Sequence, residues 1–293
     1  MTDPGSQTDS LVEVDACRHS TDGGATPPVS ETVRVVREDA LFIDIDEAGS
    51  YSLLCTPTDL RALAVGFLFT EGLIVDLSDI AALAHCADDS RKIVVKLAKS
   101  GAVTGRPIHG RPVVSSCGLC GADDLASRMS GLPRVGNTLR VKPTSLRRSV
   151  QVLRRRQPLF TASGATHAAG LFGVSGELHA VFEDIGRHNA LDKAVGSCLL
   201  DGASPLGCGV ILSSRVSLEL VDKCARAGIE FIGAVSAPTS LAVEAADRCG
   251  ITLCAFVRRA RATVFTHPER LQCRRDPSSE APSTPAPPSS RRF

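Results

Sequence analysis

The chain has 293 residues, and 33 basic against 32 acidic side chains leave a formal charge of +1. At roughly 150 residues per domain the length suggests about two domains, and a hydrophobic fraction of 43% excludes wholesale disorder. Near-neutrality excludes a globally basic nucleic-acid binder, and with no Trp and one Tyr the chain lacks platforms for stacking single-stranded bases.

No stretch approaches the roughly 18 uninterrupted apolar residues of a membrane span, and 1–32 holds no apolar run resembling a secretory signal. A cytoplasmic protein without nucleic-acid or membrane partners is expected. An odd count of eleven cysteines in a reducing compartment argues against a disulfide framework. Most are expected to serve as small core hydrophobes.

In chain order, residues 1–30 are rich in Ser, Thr, Asp, Gly and Pro and read as a disordered tail. Segments 32–36 and 40–45 read as paired strands. Thr56-Pro57-Thr58-Asp59 reads as a helix start, with Thr56 capping and Asp59 reaching back. The helix that follows carries Leu60, Leu63, Ala64, Phe67 and Leu68 on one face and stops near Gly72. Segment 92–97 is a strand. After Pro143-Thr144 an amphipathic helix carries Leu146, Val150 and Leu153, with Arg147, Arg148, Arg154, Arg155 and Arg156 alongside.

The second half is punctuated more clearly. A strand at 179–182 precedes a helix at 189–200, and a strand at 210–212 precedes a helix through Leu218, Val221 and Cys224 that Gly228 ends. A strand at 231–235, a helix running to Cys249-Gly250 and a strand at 251–257 close the series, before a Pro- and Ser-rich tail at 273–293. This alternation predicts an α/β fold with a mainly parallel sheet covered by helices on both faces. The expected divisions are the tail 1–30, a smaller N-terminal α/β part at 31–143, a second α/β domain at 144–272, and the tail 273–293. In such sheets ligands sit at the carboxyl ends of strands, here the turns 183–189, 213–215 and 236–240.

Ser116-Cys117-Gly118-Leu119-Cys120-Gly121 sets two thiols on a glycine-flanked loop just before a short helical stretch, a setting that favours thiolate. Three readings stand: two incidental small residues, half of a zinc site, and redox or sulfur-transfer chemistry. Cys86, Cys249 and Cys254, the candidates to complete a zinc site, form no second close Cys-x-x-Cys pair. Zinc-dependent deamination is disfavoured, because Ala169 stands where His-x-Glu needs its acid and Ser116, not Pro, precedes Cys117. No resident metal is expected.

The run Glu183-Asp184-Ile185-Gly186-Arg187-His188-Asn189-Ala190-Leu191-Asp192-Lys193 is dense in ionisable groups at a strand-to-helix junction. Arg187 offers bidentate anion recognition and Lys193 a point charge. The alternative is a solvated helix end with His188 and Asp192 paired one turn apart. Three anion-suited turns on one edge favour a phosphate-bearing ligand. Phe256-Val257-Arg258-Arg259-Ala260-Arg261 adds a basic cluster, either a grip on phosphates or a charged edge that deters strand pairing. Neither a Walker-type loop nor a dinucleotide fingerprint is present.

Thr70-Glu71-Gly72-Leu73-Ile74, the Cys117–Cys120 loop, Thr166-His167-Ala168-Ala169-Gly170, the 183–193 run and Ser213-Ser214-Arg215 occur in this order. Together, over residues 31–272, they resemble the FdhD family, sulfur carrier proteins required for formate dehydrogenase activity. The resemblance implies a cytidine-deaminase-like layered fold without deaminase chemistry. It implies a sulfurtransferase that accepts persulfide sulfur from a cysteine desulfurase and passes it to a bound cargo, Mo-bis(molybdopterin guanine dinucleotide), for formate dehydrogenase. Cys117 would carry the persulfide, Cys120 would assist, and the cofactor stretch would fall on Phe256, Val257, Arg258, Arg259, Ala260 and Arg261. Arg259 stands where relatives commonly have glycine. A homodimer is implied as well. Clustering adds Glu183, Asp184, Arg187, His188, Asn189 and Arg215 to the expected cofactor pocket. The alternatives are a non-catalytic cofactor chaperone and a thiol–disulfide oxidoreductase.

Overall fold

The computed structural model describes residues 10–21, 27–46, 49–98, 126, 128–258 and 261–272. The expected tail at 273–293 and the Cys117–Cys120 loop lie outside the described residues.

Strand β1 (Leu11–Arg18) pairs antiparallel with β2 (Val29–Val36) in a two-stranded ribbon. The expected tail at 1–30 is thereby corrected over 11–18. Val12, Val14 and Ala16 alternate with Glu13 and Asp15, and Val12 lies opposite Val35 as Val14 lies opposite Val33. That alternation yields a strand despite the polar surroundings. It also takes β2 away from the partner read for segment 32–36.

A four-stranded sheet instead joins β3 (Asp39–Ile45), β4 (Gly49–Cys55), β5 (Ile80–His85) and β6 (Lys92–Leu97) in the order β4-β3-β6-β5. Its inner residues Leu41, Ile43, Leu53, Ile93 and Val95 pack on Leu63, Ala64, Phe67 and Leu68 of α1 (Leu60–Thr70). The helix starts later than Thr56. Asp59 is its N-cap, in a left-handed conformation (φ 53°) with no side-chain capping bond, while Thr56 bonds elsewhere.

The larger sheet has six strands, β7 (His167–Phe172), β8 (Leu178–Asp184), β9 (Gly209–Leu212), β10 (Phe231–Ala234), β11 (Thr252–Ala255) and β12 (Thr263–Val264), in the order β12-β11-β10-β9-β7-β8. Neighbours β9, β10 and β11 pair in parallel; β7 is antiparallel to both β8 and β9, and β12 to β11, so β8 to β11 run one way and β7 and β12 the other. The expected mainly parallel sheet is therefore a mixed one. Helices connect β8 to β9, β9 to β10 and β10 to β11, which all run one way, whereas a short turn returns β7 directly into β8 and so sets it against them.

Helix α2 (Pro143–Arg155) covers one face, with Leu146, Val150 and Leu153 against Phe172, Ile211 and Phe231. A short helix α3 (Pro158–Ser163) follows it. Helices α4 (Arg187–Leu200), α5 (Leu218–Arg226) and α6 (Ser240–Cys249) cover the other face. The two sheets are joined where α1 crosses α4. A Cβ on Gly66 would lie 1.8 Å from the Asp192 carbonyl oxygen, and one on Gly196 1.9 Å from that of Ala62. Only glycine fits at either position. Among the described residues, no helix is long and apolar enough to cross a membrane.

Candidate functional site

Because β7 runs opposite to β8 and β9, the carboxyl ends of β8, β9, β10 and β11 share one edge with the amino end of β7. The turns 183–189, 213–215 and 236–240 all lie along it. Their side chains divide into two groups.

The first group is taken up inside the fold. Asp184 and Lys193, both fully buried, pair at 2.7 Å. Asp184 also accepts hydrogen bonds from the backbone N–H groups of Thr56 and Gly186 and from Asn189 Nδ2. Lys193 donates to the Thr56 and Glu183 carbonyls and to Thr58 Oγ1. Asn189 Nδ2 reaches the Leu54 carbonyl at 2.8 Å. Glu183 accepts from the N–H groups of Leu159 and Phe160, at the amino end of α3, and from Thr166 Oγ1. Thus Glu183, Asp184, Asn189 and Lys193 shape the turn through internal partners, and the Asp184 knot fastens the β4–α1 connection to the sheet edge.

The second group faces outward. Arg187 is half-buried, Arg215 is exposed, and half-buried His167 begins β7 between their two turns. Burial, reinforced by the charges of Arg187 and Arg215, lowers the His167 pKa. The two guanidinium groups act on the imidazole, and the three side chains together make a cationic, donor-rich patch that suits an anion. His188 lies on the α5 side, with Nε2 3.5 Å from Ser217 Oγ. Burial, then the positive charges of Lys223 and Arg187, push it down to about 4. Asp192 does not pair with it. That carboxylate accepts from Thr70 Oγ1 at 2.7 Å and from Lys223 at 2.9 Å.

Behind His188, Lys223 also bonds Glu71 at 2.7 Å and Thr70 Oγ1 at 2.9 Å. Burial opposes both charges, yet their attraction holds Glu71 below the usual carboxylate range and Lys223 above its ordinary value. Arg128, eight residues after Cys120 in the chain, pairs with Asp222 at 2.7 Å. It also acts electrostatically on Glu71 and Glu219. Sequence reading gives His167 as part of a small-residue loop, 163–167, that could line a pocket, without linking it to Arg187 and Arg215, and it misses Arg128 and Lys223 altogether. The one local signal for Lys223 is a charged pair, Asp222-Lys223, set between the buried Val221 and Cys224.

The basic stretch sits farther along the edge. Phe256 follows β11 with a left-handed φ of 54° and donates its N–H to the Ser236 carbonyl. Val257 is buried, while Phe256, Arg258 and Arg261 are exposed. The Arg258 N–H bonds the Arg261 carbonyl at 2.9 Å, and the Phe256 ring lies 6.3 Å from that of Phe265. Arg259 and Ala260, like Cys117 and Cys120, are outside the described residues. β11 and β8 are four strand spacings apart in the sheet, about 19 Å. The edge therefore has two cationic stations, with Arg215 between them. Among the described residues, no group of 3 or more His, Cys, Asp or Glu side chains is placed to hold a metal ion.

Residues 36–272 match the FdhD/NarQ family. The chain belongs to that family. A relative named sulfur carrier protein FdhD, from Bordetella bronchiseptica, is 37% identical over 256 residues, 85% of this chain and 91% of that one. Another of that name, from Thermoplasma acidophilum, is 39% identical over 223 residues, 75% of this chain and 78% of its own. The crystal structure of a chain from Desulfotalea psychrophila, described as a formate dehydrogenase accessory protein, aligns with a TM-score of 0.69 at 26% identity. The alignment covers 89% of this chain and 99% of that one.

Proposed function

We propose that this protein is a sulfur carrier serving formate dehydrogenase, with a Mo-bis(molybdopterin guanine dinucleotide) cargo along the six-stranded sheet's edge. The observation that carries this reading is the edge itself. Its two cationic stations, at Arg187 beyond β8 and at Arg258 beyond β11, lie about 19 Å apart with Arg215 between them, a separation suited to an elongated ligand with phosphates near both ends. Names borne by relatives across most of the chain support the client. The order β8-β7-β9-β10-β11, with helices on both faces, supports a cytidine-deaminase-like layering.

In this reading the Cys117 thiolate attacks the terminal sulfur of a cysteine desulfurase persulfide. The donor S–S bond breaks, the donor leaves as thiolate, and Cys117 carries the persulfide. Attack of Cys120 on the Cys117 sulfur then releases hydrosulfide to the cargo and leaves a Cys117–Cys120 disulfide, which a cellular thiol reduces. The two sulfur atoms that become the disulfide supply the electrons that turn sulfane sulfur into sulfide. Cys120 lies eight residues before Arg128, at most about 28 Å of chain. Arg128 acts on Glu219, which in turn neighbours His188 on the edge.

Incubation with a cysteine desulfurase and cysteine, followed by intact-mass measurement, tests the proposal. One reductant-labile sulfur is expected on the wild type and none on Cys117→Ser. If Cys117→Ser still restored formate dehydrogenase activity in cells, the carrier reading would fail in favour of a cofactor chaperone. Arg187→Ala and Arg215→Ala are each expected to weaken GDP binding, GDP standing for one end of the cargo. Unchanged affinity in both would remove them from the site.

A further inference from the structure

A second concentration of charge lies away from the edge, on α2. Leu146, Val150 and Leu153 face the sheet, and the opposite side exposes Arg147, Arg148, Arg154 and Arg155. Helical residues seven apart point within about 20° of each other. Arg147 thus lines up with Arg154, and Arg148 with Arg155, in two rows with a repeat of about 10 Å. Lys142 before the helix and Arg156 after it are also exposed. Among the described residues, the one carboxylate within salt-bridge reach of these arginines is Glu177, 3.9 Å from Arg148, and both side chains are more than 70% exposed.

The helix itself has no need of this arrangement: Arg154 and Arg155 suit the negative end of its dipole, but Lys142 at its N-cap sits at the positive end, where cations are disfavoured, and Arg147 and Arg148 have no acidic residue within the helix to pair with. A chain of net charge +1 has no compositional excess of cations to place here. At the amino end, a cleft of about 450 Å³ opens between Arg140, Lys142, Ser145, Ser175 and Gln272. Ser145 packs on Gly176, in the β7–β8 turn at the far edge of the sheet. At its carboxyl end the helix leads through Gln157 into α3, whose first N–H groups bond Glu183 on the candidate edge. The cationic strip therefore runs the height of the sheet, about 20 Å.

We propose that this face of α2 is a docking surface for an acidic protein partner. The repeat of about 10 Å matches carboxylates seven residues apart on a partner helix, and guanidinium groups take carboxylates in bidentate pairs. The exposed rows carry no aromatic side chain on which the bases of a single-stranded nucleic acid could stack. A partner laid along the strip reaches the candidate edge; that orientation rests on the carrier reading, whereas the docking does not.

The test is fluorescence anisotropy with a labelled decaglutamate peptide and, separately, a labelled DNA duplex of equal charge. Wild type is expected to bind decaglutamate more tightly than the duplex, with affinity falling as salt is raised. Arg147→Gln/Arg148→Gln/Arg154→Gln/Arg155→Gln should weaken decaglutamate binding about tenfold or more. The same four positions changed to Lys should retain most of it, with unchanged circular dichroism in both variants. The proposal is overturned if wild type does not bind decaglutamate, if the Gln variant binds as well as wild type, or if the duplex binds more tightly. Cys117→Ser is expected to bind decaglutamate normally, so failure of the carrier reading and failure of the docking surface are separable.

Discussion

Replacing Asp184 with Ala removes the centre of the buried knot that fastens β4–α1 to the sheet edge. The substitution leaves the Lys193 ammonium, fully buried, with neutral oxygens from Thr56, Thr58 and Glu183 and no counter-charge. It also strips acceptors from the Thr56 and Gly186 N–H groups and from Asn189 Nδ2, at 3.1, 2.8 and 3.0 Å. Removing one partner of a buried ion pair costs about 3–5 kcal/mol, and the orphaned donors place this case near the upper end. Against a whole stability of about 5–15 kcal/mol, a loss of about 4 kcal/mol moves a urea midpoint far to lower denaturant with little change in slope. Asp184→Ala/Lys193→Met, which removes both charges, should recover about 2 kcal/mol relative to Asp184→Ala alone. A loss below about 1 kcal/mol for Asp184→Ala, or a double variant as unstable as the sum of the singles, would refute the reasoning.

Three further outcomes are expected. His188 titrates at about 4 in the folded chain against 6.5 ordinarily, so between those values the unfolded chain binds more protons and stability rises with pH. That contribution is complete above pH 6.5 and is lost as pH falls toward 4, up to about 3 kcal/mol. Urea midpoints across this window should depend less on pH in His188→Gln, and parallel profiles would contradict the assignment. Burial pushes the thiols of Cys55 and Cys254 up to about 12 and raises that of Cys224 as well. Native-state iodoacetamide should therefore label exposed Cys17 well before these three, and peptide mapping that found them labelled at equal rates would oppose this. Gly196→Ala forces a Cβ to 1.9 Å from the Ala62 carbonyl oxygen. It should cost about 3 kcal/mol or more in thermal or urea unfolding, and a near-neutral result would show that the helices separate easily.

Local chemistry was the legible part. The α4, α5 and α6 segments announce themselves by apolar faces, and Gly228 and Gly250 adopt the left-handed conformations that end the last two. The same turn chemistry placed 183–189, 213–215 and 236–240 along one edge. Long-range partnerships were hidden. Thr56 reads as a helix cap until Asp184, 128 residues away, takes its N–H. Glu183 and Asp184 look like ligand groups because sequence displays their charge and conceals the buried donors they serve. Lys223 meets Thr70 across 153 residues, beyond any periodicity. The strands read at 179–182, 210–212, 231–235 and 251–257 do run in one direction, and the sheet is mixed because β7 and β12, which run against them, have no alternating pattern that the sequence reading picked out. The ribbon strand β1 escaped because its valines are few and its neighbours polar.

The glycine crossing of α1 and α4 has a consequence for dissecting the molecule. Where peptide groups rest directly on one another, neither helix owns a surface that water could cover in the other's absence. A cut placed between the sheets would expose a bare seam on both fragments, so deletion mapping would report collapse instead of function. Chimeras between relatives should exchange the two helices as a matched set.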